Sequence, residues 1–223
     1  MKYYMIWTYK QRKKASCTFQ SDYLDGKDAI QIAEDLEKTG RGYDFEFTDE
    51  MGTVWSKKEL TKLLTKVKGE PHDITVFFDG GYLKEEGRAG LGSIIYFTQN
   101  DCLFRRRSNL EIDEIESSNE AEYAAFYECL KILDEIGVHH QTCTFKGDSQ
   151  VVLNQLSGEW PCFDNVLNQW ADRIEEKMKV QGILPKYELI SRKENKEADT
   201  LATKALQGIK IDSELEIGKK EDS

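Results

Sequence analysis

The run Tyr3 to Tyr9 reads as a strand, Ala15 to Phe19 as a second and Tyr43 to Phe47 as a third, all rich in aromatic and β-branched residues. Between them, Ile30, Ala33 and Leu36 recur on one helical face, which predicts a helix over Lys27 to Lys38. Met51-Gly52 between β-forming residues predicts a hairpin through Asp49 to Thr53, and a short helix follows at Lys57 to Val67. At Lys68-Gly69-Glu70-Pro71 the pattern breaks, and an unbroken apolar strand, Ile74 to Phe78, begins at once. A domain boundary is placed there: a small α/β domain over residues 1–70, then a larger one over 71–207.

In the second segment, Leu91 to Phe97 and Cys102 to Arg107 flank an Asn100-Asp101 turn and, with Ile74 to Phe78, predict three antiparallel strands. A helix follows over Asn119 to Ile136, with Ala121, Ala124, Ala125, Leu130 and Leu133 in register. Then come a strand at Thr142 to Lys146, a short helix at Gln150 to Leu156, a helix at Asn165 to Val180, a strand at Tyr187 to Ile190 and a helix at Asn195 to Leu206. Strands followed by helices around one mixed sheet make an α/β sandwich. The polar, acidic stretch 208–223 is expected to be a flexible tail.

Composition narrows the class. At 223 residues the chain can bury a proper core without disulfide staples. Its five cysteines are scattered with no Cys-x-x-Cys pair, which argues against a disulfide framework and a cysteine zinc site and for a reducing, cytoplasmic setting. No apolar run approaches a membrane span, so no membrane partner is expected. A net charge of -10 taken alone predicts repulsion of nucleic acid. Residues 1–70, however, carry 13 basic and 12 acidic side chains, and residues 71–207 carry 15 and 24, so the acidity belongs to the second segment.

Four carboxylates there occupy particular places. Asp79 ends a strand before Gly80-Gly81, Glu122 lies in the first turn of the long helix, Asp148 follows the fourth strand, and Asp199 lies early in the last helix. Singly, each reads more readily as a turn residue, a helix-dipole charge or a cap. Brought together at one sheet edge, carboxylates about 4 Å apart would repel by roughly 4 kcal/mol per pair at an effective dielectric near 20. Such a cluster needs cations, and an all-oxygen set favours Mg²⁺ or Mn²⁺ over zinc.

Residues 73–207 resemble the ribonuclease H type 1 family, in its reverse-transcriptase-like bacterial branch. Phe78-Asp79-Gly80-Gly81 with Ala89-Gly90-Leu91-Gly92 looks like the first hairpin of that family. Ser117-Ser118-Asn119-Glu120-Ala121-Glu122-Tyr123 resembles its Thr-Asn-Asn-x-Ala-Glu-Tyr, and Asp148-Ser149-Gln150 its Asp-Ser-Gln. Arg192 to Ala202 is similar to its closing Arg-Glu-x-Asn-x-x-Ala-Asp-x-Leu-Ala. The resemblance implies an RNase H-like mixed five-stranded sheet flanked by helices. It also implies that Asp79, Glu122, Asp148 and Asp199 are catalytic metal ligands for two Mg²⁺ ions, or Mn²⁺, in an endonuclease hydrolysing the RNA strand of RNA-DNA hybrids to 5′-phosphate and 3′-hydroxyl ends. By the same match, Gly80, Gly81, Ser117, Ser118, Asn119 and Gln150 would bind substrate, Asn119 and Gln150 through the minor groove.

The sequence departs from that family in two places: Ser118 replaces an Asn, and Ser191-Arg192-Lys193-Glu194 lacks the loop His many members carry. Glu194 either substitutes in part or is a helix-start charge, and His72, His139 and His140 read as structural or solvated. Arg105-Arg106-Arg107 is either a solvated sheet edge or a phosphate contact. Trp160 falls where the family has a substrate-proximal loop, and a packed role competes. In the first domain, Lys10, Arg12, Lys13 and Lys14 join aromatic-rich strands and form a candidate nucleic-acid-binding hairpin, with an unrelated scaffold as the alternative. Rival readings of the whole chain are a binding protein that keeps the fold without cutting, and a related nuclease for another nucleic acid. The nucleic-acid partner implied is an RNA-DNA hybrid, and the sequence does not identify protein partners.

Overall fold

A computed structural model describes residues 1–10 and 15–219, in two compact units, one from Met1 to Gly69 and one from Glu70 onward. In the first unit, β1 (Lys2–Lys10) pairs antiparallel with β2 (Ser16–Gln20), β3 (Leu24–Asp25) and β4 (Gly42–Asp49), and β4 pairs with β5 (Val54–Ser56). Helices α1 (Gly26–Lys38) and α2 (Lys57–Gly69) contribute Ala29, Ala33 and Leu60 to a core with Tyr3, Met5 and Phe47. The turn between β4 and β5 is closed by Asp49, which accepts from the Met51 and Thr53 amides, both at 2.9 Å, and from the Trp55 indole at 3.0 Å. That turn is an Asx-type device encoded locally, which is why Met51-Gly52 is visible in the sequence.

The second unit is built on a six-stranded sheet in the order β10-β9-β6-β7-β8-β11. Strands β6 (His72–Leu83), β7 (Arg88–Gln99) and β8 (Cys102–Ile112) form an antiparallel meander, and β9 (Thr142–Gly147) and β10 (Leu184–Leu189) add in parallel beyond β6. One face is covered by α3 (Ser118–Glu135), whose Tyr123, Phe126, Leu130 and Leu133 are fully buried, with α5 (Asn165–Gln181) packed outside it. Phe126 stacks on Phe145 at 4.4 Å and meets Phe78 edge-on at 5.2 Å, joining the helix to β9 and β6. Two side-chain bonds pin α5: the Trp170 indole donates to Glu120 at 3.0 Å, and the Gln181 amide to the Leu130 carbonyl at 2.8 Å. The other face carries α6 (Lys196–Leu206), and α4 (Gln150–Leu156) follows β9.

The stretch expected to be a flexible tail is instead ordered in β11 (Asp212–Lys219), antiparallel to β8, so the sheet has six strands rather than five. Its cause lies in tertiary partners. The Asn109 amide donates to the Leu201 and Ile209 carbonyls at 3.0 and 2.8 Å, and its oxygen accepts from the Ile211 amide. The chain leaving α6 is thereby turned back onto the sheet edge, where Arg106 pairs with Asp212 at 2.8 Å. Among the described residues no helix is long and apolar enough to cross a membrane.

Candidate functional site

Four elements meet at one end of the second unit's sheet. β6 carries Asp79 just after the fully buried Phe78, which leaves its side chain only 8% exposed. The start of α3 is fixed by Ser117, whose hydroxyl accepts from the Glu120 amide at 3.1 Å, and by Glu120, which accepts from the Glu116 amide at 2.8 Å. Glu122 follows within the first turns. β6 and α3 touch backbone to backbone here: a Cβ at Gly80 would lie 2.3 Å from the Ala121 carbonyl carbon and 2.5 Å from the Glu122 nitrogen. The Gly80 amide donates to the Glu122 carboxylate, whose Oε2 is buried without a partner.

β9 delivers Asp148 at its carboxyl end, before Ser149 caps α4. Asp199 is brought by α6, which lies against β7 so closely that a Cβ at Gly92 would sit 2.2 Å from the Ala198 carbonyl oxygen. One carboxylate oxygen each from Asp79, Glu122 and Asp148 lie within 4.8 Å of one another. Asp199 stands outside that trio but lines the same cleft of about 530 Å³. Burial, and then the charges of Asp148 and Asp199, push the Asp79 carboxyl up to about 7, with Arg192 opposing. Burial, and then Asp79 and Asp148, hold Glu122 well above the usual carboxylate range.

The donor set is all oxygen, crowded and partly orphaned, and it fits a hard divalent cation that would replace the missing positive charge. Gly80, Gly81, Ser118 and Asn119 line the cleft, together with Ser149, Arg192 and Lys196. Ser117 is engaged in capping, and Gln150, exposed at the first position of α4, is not among the lining residues.

Other candidates resolve differently. The Glu194 carboxylate accepts from the Ser191 amide at 2.9 Å and hydroxyl at 2.6 Å, which holds its pKa low and makes it a turn-closing charge. Arg105 and Arg107 face Glu197 at 3.5 and 3.7 Å, and Arg106 faces Asp212, so this run has acidic partners within the fold. None of the three histidines lines the cleft, and Trp160 is 43% exposed. In the first unit, Trp7 stacks on Phe19 at 5.7 Å with Tyr9 edge-on to Phe19; Arg12, Lys13 and Lys14 lie outside the described residues.

Asn195, which the sequence reading gave no role, is at the centre of the site. It is 1% exposed, and its amide donates to the Phe78 carbonyl at 2.9 Å, to Asp148 Oδ1 at 3.1 Å and to Asp79 Oδ1 at 3.3 Å. Two signals could have found it: its match to the Asn of the closing Arg-Glu-x-Asn-x-x-Ala-Asp block, and its spacing of four from Asp199, one helical turn.

A family profile described as Reverse transcriptase-like matches residues 77–205. A protein of Bacillus subtilis (strain 168), "Uncharacterized protein YpeP", is 42% identical over 204 residues, 92% of this chain and 90% of its own. Among solved structures, RNase H1 from the halophilic archaeon Halobacterium salinarum NRC-1 is similar with a TM-score of 0.52 and 25% identity, covering 60% of this chain and 98% of that one. LC11-RNase H1 in complex with an RNA/DNA hybrid aligns with the same TM-score, 0.52, at 22% identity over 61% of this chain and 98% of its own.

Proposed function

The chain belongs to the reverse-transcriptase-like family, whose fold is that of ribonuclease H, and from that premise we propose that it is a metal-dependent endoribonuclease acting on the RNA strand of RNA-DNA hybrids. The observation that carries the reading is the convergence of Asp79, Glu122 and Asp148 on one point, with Asp199 on the wall of the same cleft. The hybrid substrate is supported by a similarly folded protein that takes an RNA/DNA hybrid.

Asp79, Glu122 and Asp148, with Asp199 on the wall of the same cleft, would hold two Mg²⁺ or Mn²⁺ ions. When bound, the cations supply charge neutralisation at the scissile phosphate and acidify a water for attack. The chain's own part is placement. Asp79, whose carboxyl burial pushes up to about 7, and Glu122, which burial also raises, would bind a cation in their ionised forms. Ser118 and Asn119, at the start of α3, face the cleft where hydroxyl and amide donors can meet the groove of a bound RNA strand. Arg192 and Lys196 on the opposite wall place positive charge beside the backbone of an incoming strand.

The first unit is an accessory nucleic-acid-binding domain, a reading supported by the half-exposed Phe19 stacked with Trp7 and by the basic residues Lys10, Arg12, Lys13 and Lys14 of its sequence. The test is cleavage of labelled hybrid, duplex DNA, duplex RNA and single strands in Mg²⁺ and in Mn²⁺, with Asp79→Asn as control. Cutting of hybrid alone that Asp79→Asn abolishes supports the proposal; no cutting, or equal cutting by the variant, refutes it. Phe19→Ala should weaken hybrid binding at low salt while leaving cation binding intact.

A further inference from the structure

Asn195 occupies the N-cap position of α6, and asparagine is among the residues best suited to cap a helix, yet its side chain makes no capping bond. Its amide is committed instead to three acceptors on two other elements, the Phe78 carbonyl and Asp79 Oδ1 of β6 and Asp148 Oδ1 at the end of β9. An amide carries only two hydrogens, so the two carboxylates share what the carbonyl leaves. Its own oxygen is buried without a partner. Exchanging oxygen and nitrogen would aim that oxygen at three acceptors, so the orientation is fixed by the carboxylates themselves.

Asp79 and Asp148 repel each other when ionised, and something must hold them at a constant separation. A lysine or arginine there would do so but would also compete with a cation for the same charge. A neutral donor bridges one oxygen of each carboxylate without adding charge between them, while the second oxygen of Asp148 faces the exposed Arg192 at 3.6 Å. The main chain adds stiffness: the Asn195 amide donates to the Ser191 carbonyl at 3.1 Å, and the Asn195 carbonyl accepts from the Asp199 amide at 3.1 Å. One residue thus ties together the elements that carry Asp79, Asp148 and Asp199.

We propose that Asn195 is the positioning residue of the site, setting the spacing of Asp79 and Asp148 for cation binding; this rests on reading the cleft as a metal site. Residues that orient metal ligands from behind typically change affinity by about 10- to 100-fold when removed. Asn109 offers a matched control, because it is also a buried asparagine that fastens α6, through the Leu201 carbonyl in mid-helix and the Ile209 carbonyl beyond it, with no hydrogen bond to the carboxylates.

The experiment measures Mn²⁺ binding to the full chain, with no nucleic acid present, by titration calorimetry for wild type, Asn195→Ala, Asn195→Ser and Asn109→Ala, alongside thermal melts in EDTA. Asn195→Ala should bind Mn²⁺ at least about tenfold more weakly, with Asn195→Ser intermediate because a hydroxyl can serve one carboxylate. Asn109→Ala should melt earlier yet bind Mn²⁺ as wild type does. If Asn195→Ala does not fold, Asn195→Ser decides by the same comparison. Wild-type affinity in the Asn195 variants, or an equal loss in Asn109→Ala, overturns the positioning role alone. Absence of Mn²⁺ binding by wild type overturns the metal-site reading and this role with it.

Discussion

Replacing Asp79 by asparagine should stabilise the protein in the absence of metal while removing its response to metal. Asp79 is held at about 7 in the fold against an ordinary value of 3.8. A carboxyl whose folded pKa is raised favours folding fully below about pH 4, and that contribution is lost as pH rises through about 7. At about 1.36 kcal/mol per pH unit, the gap amounts to an upper bound on the order of 4 kcal/mol at pH 8. Asparagine carries no charge at any of these pH values and keeps an oxygen to accept from the Asn195 amide. For a unit of this size, about 1 kcal/mol moves a midpoint by roughly 2–4 °C, so Asp79→Asn should melt on the order of 10 °C higher in EDTA at pH 8. At pH 4 the two proteins should melt together. Differential scanning calorimetry at both pH values, with and without 5 mM-scale Mg²⁺, reads this directly; Mg²⁺ should raise the wild-type transition and barely move the variant. A variant that melts at or below wild type in EDTA at pH 8, or gains equally at pH 4, would refute the account of Asp79 as a buried, repelled carboxylate.

Cation affinity should fall as pH drops below about 7, because Asp79 and Glu122 must ionise before they can bind; calorimetry in two buffers of different ionisation heat should show protons released, and a flat affinity from pH 5.5 to 8 would count against it. Gly92→Ala drives a methyl against the α6 backbone and should cost about 1–3 kcal/mol or more. Gly81→Ala, whose nearest obstacle is the Leu206 side chain at 3.3 Å, should unfold close to wild type in urea. Ending the chain after Ile211 keeps the Asn109 clasp but removes β11 and the Arg106–Asp212 pair; the midpoint of unit two should drop while Mn²⁺ affinity holds.

Much of the second unit was legible in the sequence because its core elements obey local periods. Ile74 to Phe78 is buried on alternate positions as a central strand, and Ala121, Ala124, Ala125, Leu130 and Leu133 all turn inward on α3. The order of the four carboxylates was legible too, since strand ends and helix starts place them whatever their partners. What escaped was set by partners distant in the chain. Ile211, Ser213, Leu215 and Ile217 alternate with Asp212, Glu214 and Glu216 as a strand should, yet composition argued for a frayed tail. Only the arginine-rich edge of β8, about a hundred residues earlier, makes that acidic alternation favourable. The acidic partners of the Arg105 to Arg107 run were hidden for the same reason, lying on α3, α6 and β11.

The departures from local rules are not scattered. Glycine weakens a strand interior, but Gly80 and Gly92 are where α3 and α6 press their backbones onto the sheet. A buried carboxylate without a cationic partner is unfavourable, but Asp79 and Glu122 are such groups. An asparagine at a helix start should cap it, but Asn195 turns instead to two carboxylates. Each departure is unfavourable by the local rule it breaks. Asp79, Gly80 and Glu122 line a single cleft, Asn195 bonds two of its carboxylates and Gly92 sits opposite Asp79 in the ladder, and a sequence that gives up stability repeatedly in one place has been constrained there by something other than folding. A divalent cation would offset each of these costs together, by supplying the charge that the glycines let two helices deliver carboxylates to, and that a neutral asparagine leaves unclaimed.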